Sequence, residues 1–244
     1  MRSGARILIA ALVAFVAVLV AFLPAQWAER VLPRGLSCQE LEGTLWNGTC
    51  GGLSAGGQPF GDVGWKLHPL RLLLGTIAAD LDWTRAGDRA RGLVILHSRG
   101  RLSGRDVRAE VHLPSDLLRA LPPGWTGTLQ VDLPLLEWDG RRVTAIEGQI
   151  DLRELKSQGS LLGSYRVTFP PGNATPQGPV GRLMDLGGVL ELSGTLHLTP
   201  EPGWLIEGPA RPRPGAPTDL TNALRLYGPP DARGAYPVSA QGTF

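Results

Sequence analysis

Residues 75–84 read GTIAADLDWT, and the way their side chains alternate decides how the rest of the chain is read. Successive side chains of an extended chain point to opposite sides. Thr76, Ala78, Asp80 and Asp82 therefore share one face, and Ile77, Ala79, Leu81 and Trp83 share the other. The pattern recurs. After Gly127, Thr128, Gln130 and Asp132 oppose Leu129, Val131 and Leu133; near Arg105, Asp106, Arg108, Glu110 and His112 oppose Val107, Ala109, Val111 and Leu113. Glu191, Ser193, Thr195, His197 and Thr199 alternate with Leu190, Leu192, Leu196 and Leu198. Each stretch reads as a strand with one wet and one apolar face. The opening Gly-Thr is echoed at Gly43-Thr44, Gly127-Thr128, Gly194-Thr195 and Gly242-Thr243. Glycine there marks a turn, and threonine suits the pleated strand that follows. The echoes are spaced too irregularly for a solenoid.

Working outward, 33 glycines and 21 prolines in 244 residues favour many strands joined by tight turns over long helices. Net charge is +2, with arginines scattered among acids and Lys66 and Lys156 the only lysines. That distribution is a solvated surface and gives no footprint for nucleic acid. At the N-terminus, Arg2 and Arg6 precede an unbroken apolar run, 7–23, and Gln26, Trp27, Glu29 and Arg30 follow it. A helix of about 17 residues spans roughly 26 Å, near the lower limit for crossing a bilayer. The flanking charges place the N-terminus in the cytoplasm and the bulk outside. The rival, a signal peptide cut near Ala25, has Leu23 at the −3 position and Pro24 beside the cut. The expected organisation is a tip, single-pass transmembrane anchor and interface over 1–30, then one β-rich domain over 31–244. Cys38 and Cys50 suit an oxidising compartment and are a disulfide candidate, the alternative being two unpaired small apolar residues.

Short helices are expected over 116–121 behind Ser115, over 179–186 and over 218–226; 170–178 and 209–217 read as surface loops. Three short helices cannot cover a one-sided apolar sheet. The expected fold is therefore mainly β: a strongly curved antiparallel meander, sandwich-like or an open trough, with a few short helices.

Catalytic patterns are weak. Gly52-Leu53-Ser54-Ala55-Gly56 matches G-x-S-x-G, but Gly57-Gln58-Pro59 follows where a nucleophile elbow needs a helix, so a glycine-rich turn is the better reading. His68, His97, His112 and His197 stand singly. Asp80 and Asp82 are explained by solvated alternation, and no Cys/His set completes a zinc site. Asn47-Gly48-Thr49 and Asn173-Ala174-Thr175 match the short glycosylation sequon only. The chain reads as a non-enzyme with no metal and no cofactor. Trp46, Trp65, Trp83, Trp125 and Trp138 read as core or cross-strand residues, with ligand binding the alternative.

Leu41-Glu42-Gly43-Thr44-Leu45-Trp46-Asn47-Gly48 is followed by Gly61-Asp62-Val63-Gly64-Trp65-Lys66-Leu67-His68-Pro69 and by a leucine-rich turn, 72–75, into a strand containing Leu81. This succession resembles the opening of the type II secretion system protein N family, L-x-G-T-x-W-x-G and then G-x-V-x-W-x-L-x-P. Leu226-Tyr227-Gly228-Pro229-Pro230-Asp231, with Gly234-Ala235-Tyr236-Pro237-Val238 and Gly242, is similar to the family's closing signature. The family-motif residues are Gly43, Trp46, Gly48, Trp65, Pro69, Gly75, Gly228 and Tyr236, in structural or partner-binding roles. The resemblance implies a bacterial inner-membrane accessory or assembly component, its bulk in the periplasm, contacting other type II secretion components and carrying no catalytic residue. It also links the chain, by strand-rich pattern, to periplasmic proteins that carry lipids in a β-groove. Two readings follow: a secretion scaffold whose strand edges meet partners, and a module that shelters a lipid or other apolar ligand. A third, an envelope enzyme using Ser54, rests on the weak pattern alone.

Overall fold

The structure is a computed structural model and describes residues 12, 15, 18–19, 22–26, 35–113, 124–157, 159–201 and 203–243. Among them no helix is long and apolar enough to cross a membrane. The span expected at 7–23 lies mostly outside the described residues, as does the helix expected at 116–121.

The chain divides into two compact units, Met1–Ala86 and Gly87–Phe244, at a tight turn where Ala86 and Gly87 both have positive φ. The first unit holds β1 (Leu36–Ser37), β2 (Glu40–Gly43), β3 (Asn47–Ala55), β4 (Gln58–Leu67), a helical turn α1 (Pro69–Leu72) and β5 (Ile77–Arg85). β4 lies between β3 and β5, and β1 and β2 both pair with the other side of β3, all antiparallel. The G-x-S-x-G stretch is the β3–β4 hairpin. Gly56 (φ 58°) and Gly57 (φ 80°) form its turn, as a two-residue hairpin requires. Ser54 Oγ meets Ser37 Oγ at 2.6 Å.

The second unit holds β6 (Asp88–Leu96), β7 (Leu102–Leu113), β8 (Trp125–Trp138), β9 (Val143–Ser157), β10 (Ser160–Phe169), β11 (Ala174–Thr175), β12 (Gly178–Gly188), β13 (Leu190–Leu192), β14 (Gly194–Thr199), β15 (Gly203–Pro212), the helix α2 (Thr218–Arg225) and β16 (Tyr236–Thr243). Its strands form an open antiparallel sheet in the order β6-β7-β8-β9-β10-β12-β14-β15, with β16 on the far side of β15.

Register lines up the apolar face. Val131, Ile150, Val167 and Leu183 are successive neighbours across β8, β9, β10 and β12, and in the next row Gly181 is followed by Leu196 on β14 and Ile206 on β15. Phe169 (1% exposed) lies across Gly181, where a Cβ would come within 2.7 Å of its ring, and it packs in one cluster with Leu133, Ile146 and Leu198. Helix α2 covers another stretch. Leu224 packs with Ala210 and Tyr236, and Leu220, one turn earlier, packs against the cluster of Leu155, Leu162, Tyr165 and Leu183.

On the polar face, Asp151 is only 3% exposed. It accepts two hydrogen bonds from Arg166, Nε to Oδ1 at 2.6 Å and Nη2 to Oδ2 at 2.7 Å, with Arg153 Nη2 at 3.5 Å. These bonds hold its carboxyl below the ordinary range against the opposing effect of burial.

Three expectations are corrected. Residues 179–186 form strand β12, because Gly178, Gly181, Gly187 and Gly188 disfavour a helix and Gly181 leaves the space that Phe169 fills. Residues 209–212 belong to β15. Pro209 sits opposite Pro237, and two residues without N–H fit a non-hydrogen-bonded antiparallel pair. In β5, Ile77 is exposed and Ala78 is buried beneath the preceding turn, the reverse of the simple alternation.

Candidate functional site

Six of the eight motif residues gather at one end of the first unit's sheet. Gly43 ends β2 with φ 87°, and a Cβ there would press on the Asn47 carbonyl. It opens a turn in which Thr44 N donates to Asn47 O at 2.9 Å and Asn47 N donates to Thr44 Oγ1 at 3.1 Å. Gly48 pairs with Trp65 across β3 and β4, and the indole occupies the place a Gly48 side chain would take. Trp65 Nε1 donates to Leu45 O at 3.0 Å, tying the ring back to the turn. Trp46, half-buried, accepts from Leu67 N through its carbonyl at 2.7 Å. Glycine is thus required at 43 for its backbone and at 48 for the tryptophan.

The same turn receives the chain from the N-terminal run. Leu45 N donates to Leu23 O at 2.8 Å, Ala25 N donates to Gly43 O at 3.2 Å, and Pro24 bridges Thr44. Ala25 is buried there. Beyond Leu67, the segment 68–76 folds back as a tight turn. His68 N donates to Ala78 O at 2.8 Å, and His68 Nε2 lies 2.9 Å from Asp80 Oδ2. Arg71 N donates to His68 O, Leu74 N to Arg71 O and Gly75 N to Leu72 O, each at 3.0 Å. Pro69 starts this turn and Gly75 leaves it with φ 71°. Its leucines Leu70, Leu72, Leu73 and Leu74 face outward.

The two faces of this sheet differ. Register puts Gly48, Trp65 and Leu81 in one row and Cys50, Val63 and Trp83 in the next. Trp83 Nε1 donates to Phe60 O at 2.7 Å, with the two rings 5.6 Å apart. The other face carries Glu42, Thr49, Gly64 and Asp82 in a row, and with Glu40 and Asp62 these line a cleft of about 410 Å³. Among the described residues no group of acids, cysteines or histidines is arranged to hold a metal ion. Cys38 and Cys50 form a disulfide, Cα to Cα 5.8 Å, that ties the segment before β2 to β3.

Gly228 and Tyr236 belong to the second unit. Gly228 turns the chain away from α2 with φ 128°, and Tyr236 is buried against Leu224. Between them the Asp231 carboxylate accepts from Ala235 N and Arg233 N, both at 2.8 Å. Those two bonds, Ala235 first, lower its pKa and fix the turn that delivers Tyr236 to the core. The sequence reading missed the docking of 23–25 on the turn at 43–45 and the outward leucines. For the second, the signal was the unbroken Leu72-Leu73-Leu74, which fits neither a strand's alternation nor a helix's stripe.

Around the motif turn the contacts to the chain at 23–25 run from backbone to backbone. Comparison with known proteins agrees with a whole-chain relationship. The family model described as type II secretion system (T2SS), protein N, matches residues 34–239. Similar curated proteins include the type II secretion system protein N of Aeromonas hydrophila, 26% identical over 97% of this chain and 98% of that protein. That of Vibrio cholerae serotype O1 is 29% identical over 91% and 92%. No solved structure matches the chain.

Proposed function

The chain belongs to the type II secretion system protein N family, and from that premise we propose that it is a non-enzymatic inner-membrane accessory or assembly component of the secretion apparatus, working while folded proteins pass from periplasm to exterior. Its N-terminus is cytoplasmic, the run 7–23 is a single-pass anchor, and the β-rich remainder is periplasmic. The observation that carries this reading is the docking of Leu23, Pro24 and Ala25 on the motif turn at Gly43, Thr44 and Leu45. A motif whose backbone grips the chain just beyond the apolar run suits a protein that must hold its folded part against the membrane. The disulfide supports an oxidising compartment.

Strand β16 supports partner binding. Among the described residues it pairs with β15 alone, and YPVSAQGT carries no charge. Because Pro209 and Pro237 make a non-hydrogen-bonded pair, alternate residues Ser239, Gln241 and Thr243 direct their backbone groups away from β15. Such an edge, without the charges that usually protect one, accepts an extended segment of another secretion component. The alternative reading is a module that shelters a lipid or other apolar ligand: many residues of the second unit's apolar rows are only partly buried. The test is a photo-crosslinker placed at Gln241 in secreting cells. Capture of another type II secretion component is the expected result; crosslinks confined to unrelated envelope proteins would overturn the partner reading.

A further inference from the structure

The segment 69–77 reads PLRLLLGTI and carries one charge, Arg71. Leu70, Leu73 and Leu74 are 76%, 83% and 79% exposed, and Leu72 and Ile77 are exposed beside them. A contiguous apolar patch of this kind on a folded unit marks a surface that meets something. Two features identify what it meets.

The first is position. Leu67 N bonds the carbonyl of Trp46, and Leu45 N bonds the carbonyl of Leu23, so the leucine turn and the point where the chain leaves the apolar run sit at one end of one sheet. Strands are about 4.8 Å apart, so this end of β4 lies only roughly 10 Å from that of β2, beside which residues 23–25 dock. Leu12, Phe15, Val18, Leu19 and Phe22 of the run are exposed as well, so two apolar surfaces emerge from the same end of the unit.

The second is the turn's backbone. The N–H groups of Arg71, Leu74, Gly75 and Thr76 are all bonded within the turn, and Thr76 Oγ1 adds a bond to Arg71 O at 3.1 Å. A peptide loop enters a poorly hydrated layer more readily when its polar groups are satisfied internally, as these four N–H groups are. Arg71 supplies a cation that can stay at the phosphates while the leucines go deeper.

We propose that the turn 69–77 inserts Leu70, Leu73 and Leu74 into the periplasm-facing leaflet of the bilayer that holds the run 7–23, giving the first unit a second membrane contact beside its anchor. The proposal rests on reading 7–23 as the anchor. It fixes the tilt of the β2–β5 sheet at the membrane, with the β3–β4 hairpin at the far end of β4, roughly 30 Å along a ten-residue strand.

The test uses the full chain in vesicles of phosphatidylethanolamine and phosphatidylglycerol. The native cysteines are paired, so single added cysteines at Leu73, Gln58 and Phe15 take an environment-sensitive fluorophore, and lipids with quenchers at set depths report its position. Leu74→Cys serves as a second turn position if Leu73→Cys misfolds. We expect the Leu73 label to be quenched from a depth of roughly 5–10 Å below the headgroups, the Phe15 label from the bilayer interior, and the Gln58 label not at all. A deep Phe15 label with a Leu73 label no better quenched than Gln58 would overturn this proposal and leave the anchor standing. A Phe15 label outside the bilayer would overturn both. A Leu73 label shielded from aqueous and lipid quenchers alike would place a protein over the turn and overturn the membrane contact.

Discussion

The turn Pro69–Leu72 with its following leucines and the helix Thr218–Arg225 are two short helical pieces of the described chain, and both are rich in leucine. Their leucines do opposite things. Leu220 and Leu224 are one turn apart, so they share a face and lie on the sheet, Leu224 only 6% exposed. Leu70, Leu73 and Leu74 are also three and four residues apart and share a face, yet they are 76%, 83% and 79% exposed. Contact with the sheet, rather than composition or spacing, separates a cap on the core from an apolar surface offered outward. The same contrast holds for the large aromatics. Phe169 lies over Gly181 inside a packed cluster, whereas Trp65 lies over Gly48 and stays half-buried, bonded to the turn that grips Leu23 and Ala25.

Substitutions can break or sharpen this contrast, and urea unfolding of the full chain in detergent reads them. The largest loss is expected for Phe169→Ala, about 3–5 kcal/mol, because its neighbours cannot collapse into the space. Leu224→Ala should lose about 2–4 kcal/mol by the same mechanism. A loss under about 1 kcal/mol at either position would mean that the face is not packed as described. Arg166→Ala should cost about 1–3 kcal/mol by removing a charged hydrogen-bond pair from nearly enclosed Asp151. This pair also gives a pH signature. Asp151 titrates lower in the folded chain than in the unfolded one, so its contribution is complete above the ordinary carboxylate value of about 4 and is lost as pH falls through the folded value. Asp151→Asn should flatten stability in that acid window, and an unchanged acid profile would contradict the assignment. The smallest effect is expected for Leu73→Ser, within about 0.5 kcal/mol, because an exposed leucine contributes little to folding. A loss matching that of Leu224→Ala would erase the distinction between the two regions.

Much of the fold was legible because alternation is local. The strands around Gly75, Gly127 and Gly194 follow from the side-chain period alone. What was not legible depends on neighbours distant in sequence. Pro134 stands in the middle of β8, where the missing N–H is absorbed by a shift in register against Gly148 on β9 and by Asp106 on β7, which turns to φ 50°. For residues 179–186 the glycines that disfavour a helix were in the window, but the space over Gly181 that Phe169 fills is set by another strand. In the site, Trp65, Gly48 and Gly43 could be named from the motif, but their joint action could not. The grip on Leu23 and Ala25 is a backbone pairing between segments about twenty residues apart, and it leaves no signature in either.

The central claim is that this chain is a working part of a type II secretion apparatus. Deleting its gene and measuring how a secreted hydrolase divides between periplasm and medium tests that most directly. The expected result is accumulation of active enzyme in the periplasm of cells with an intact envelope, reversed by the full-length gene. Undiminished export from the deletion strain would contradict the claim.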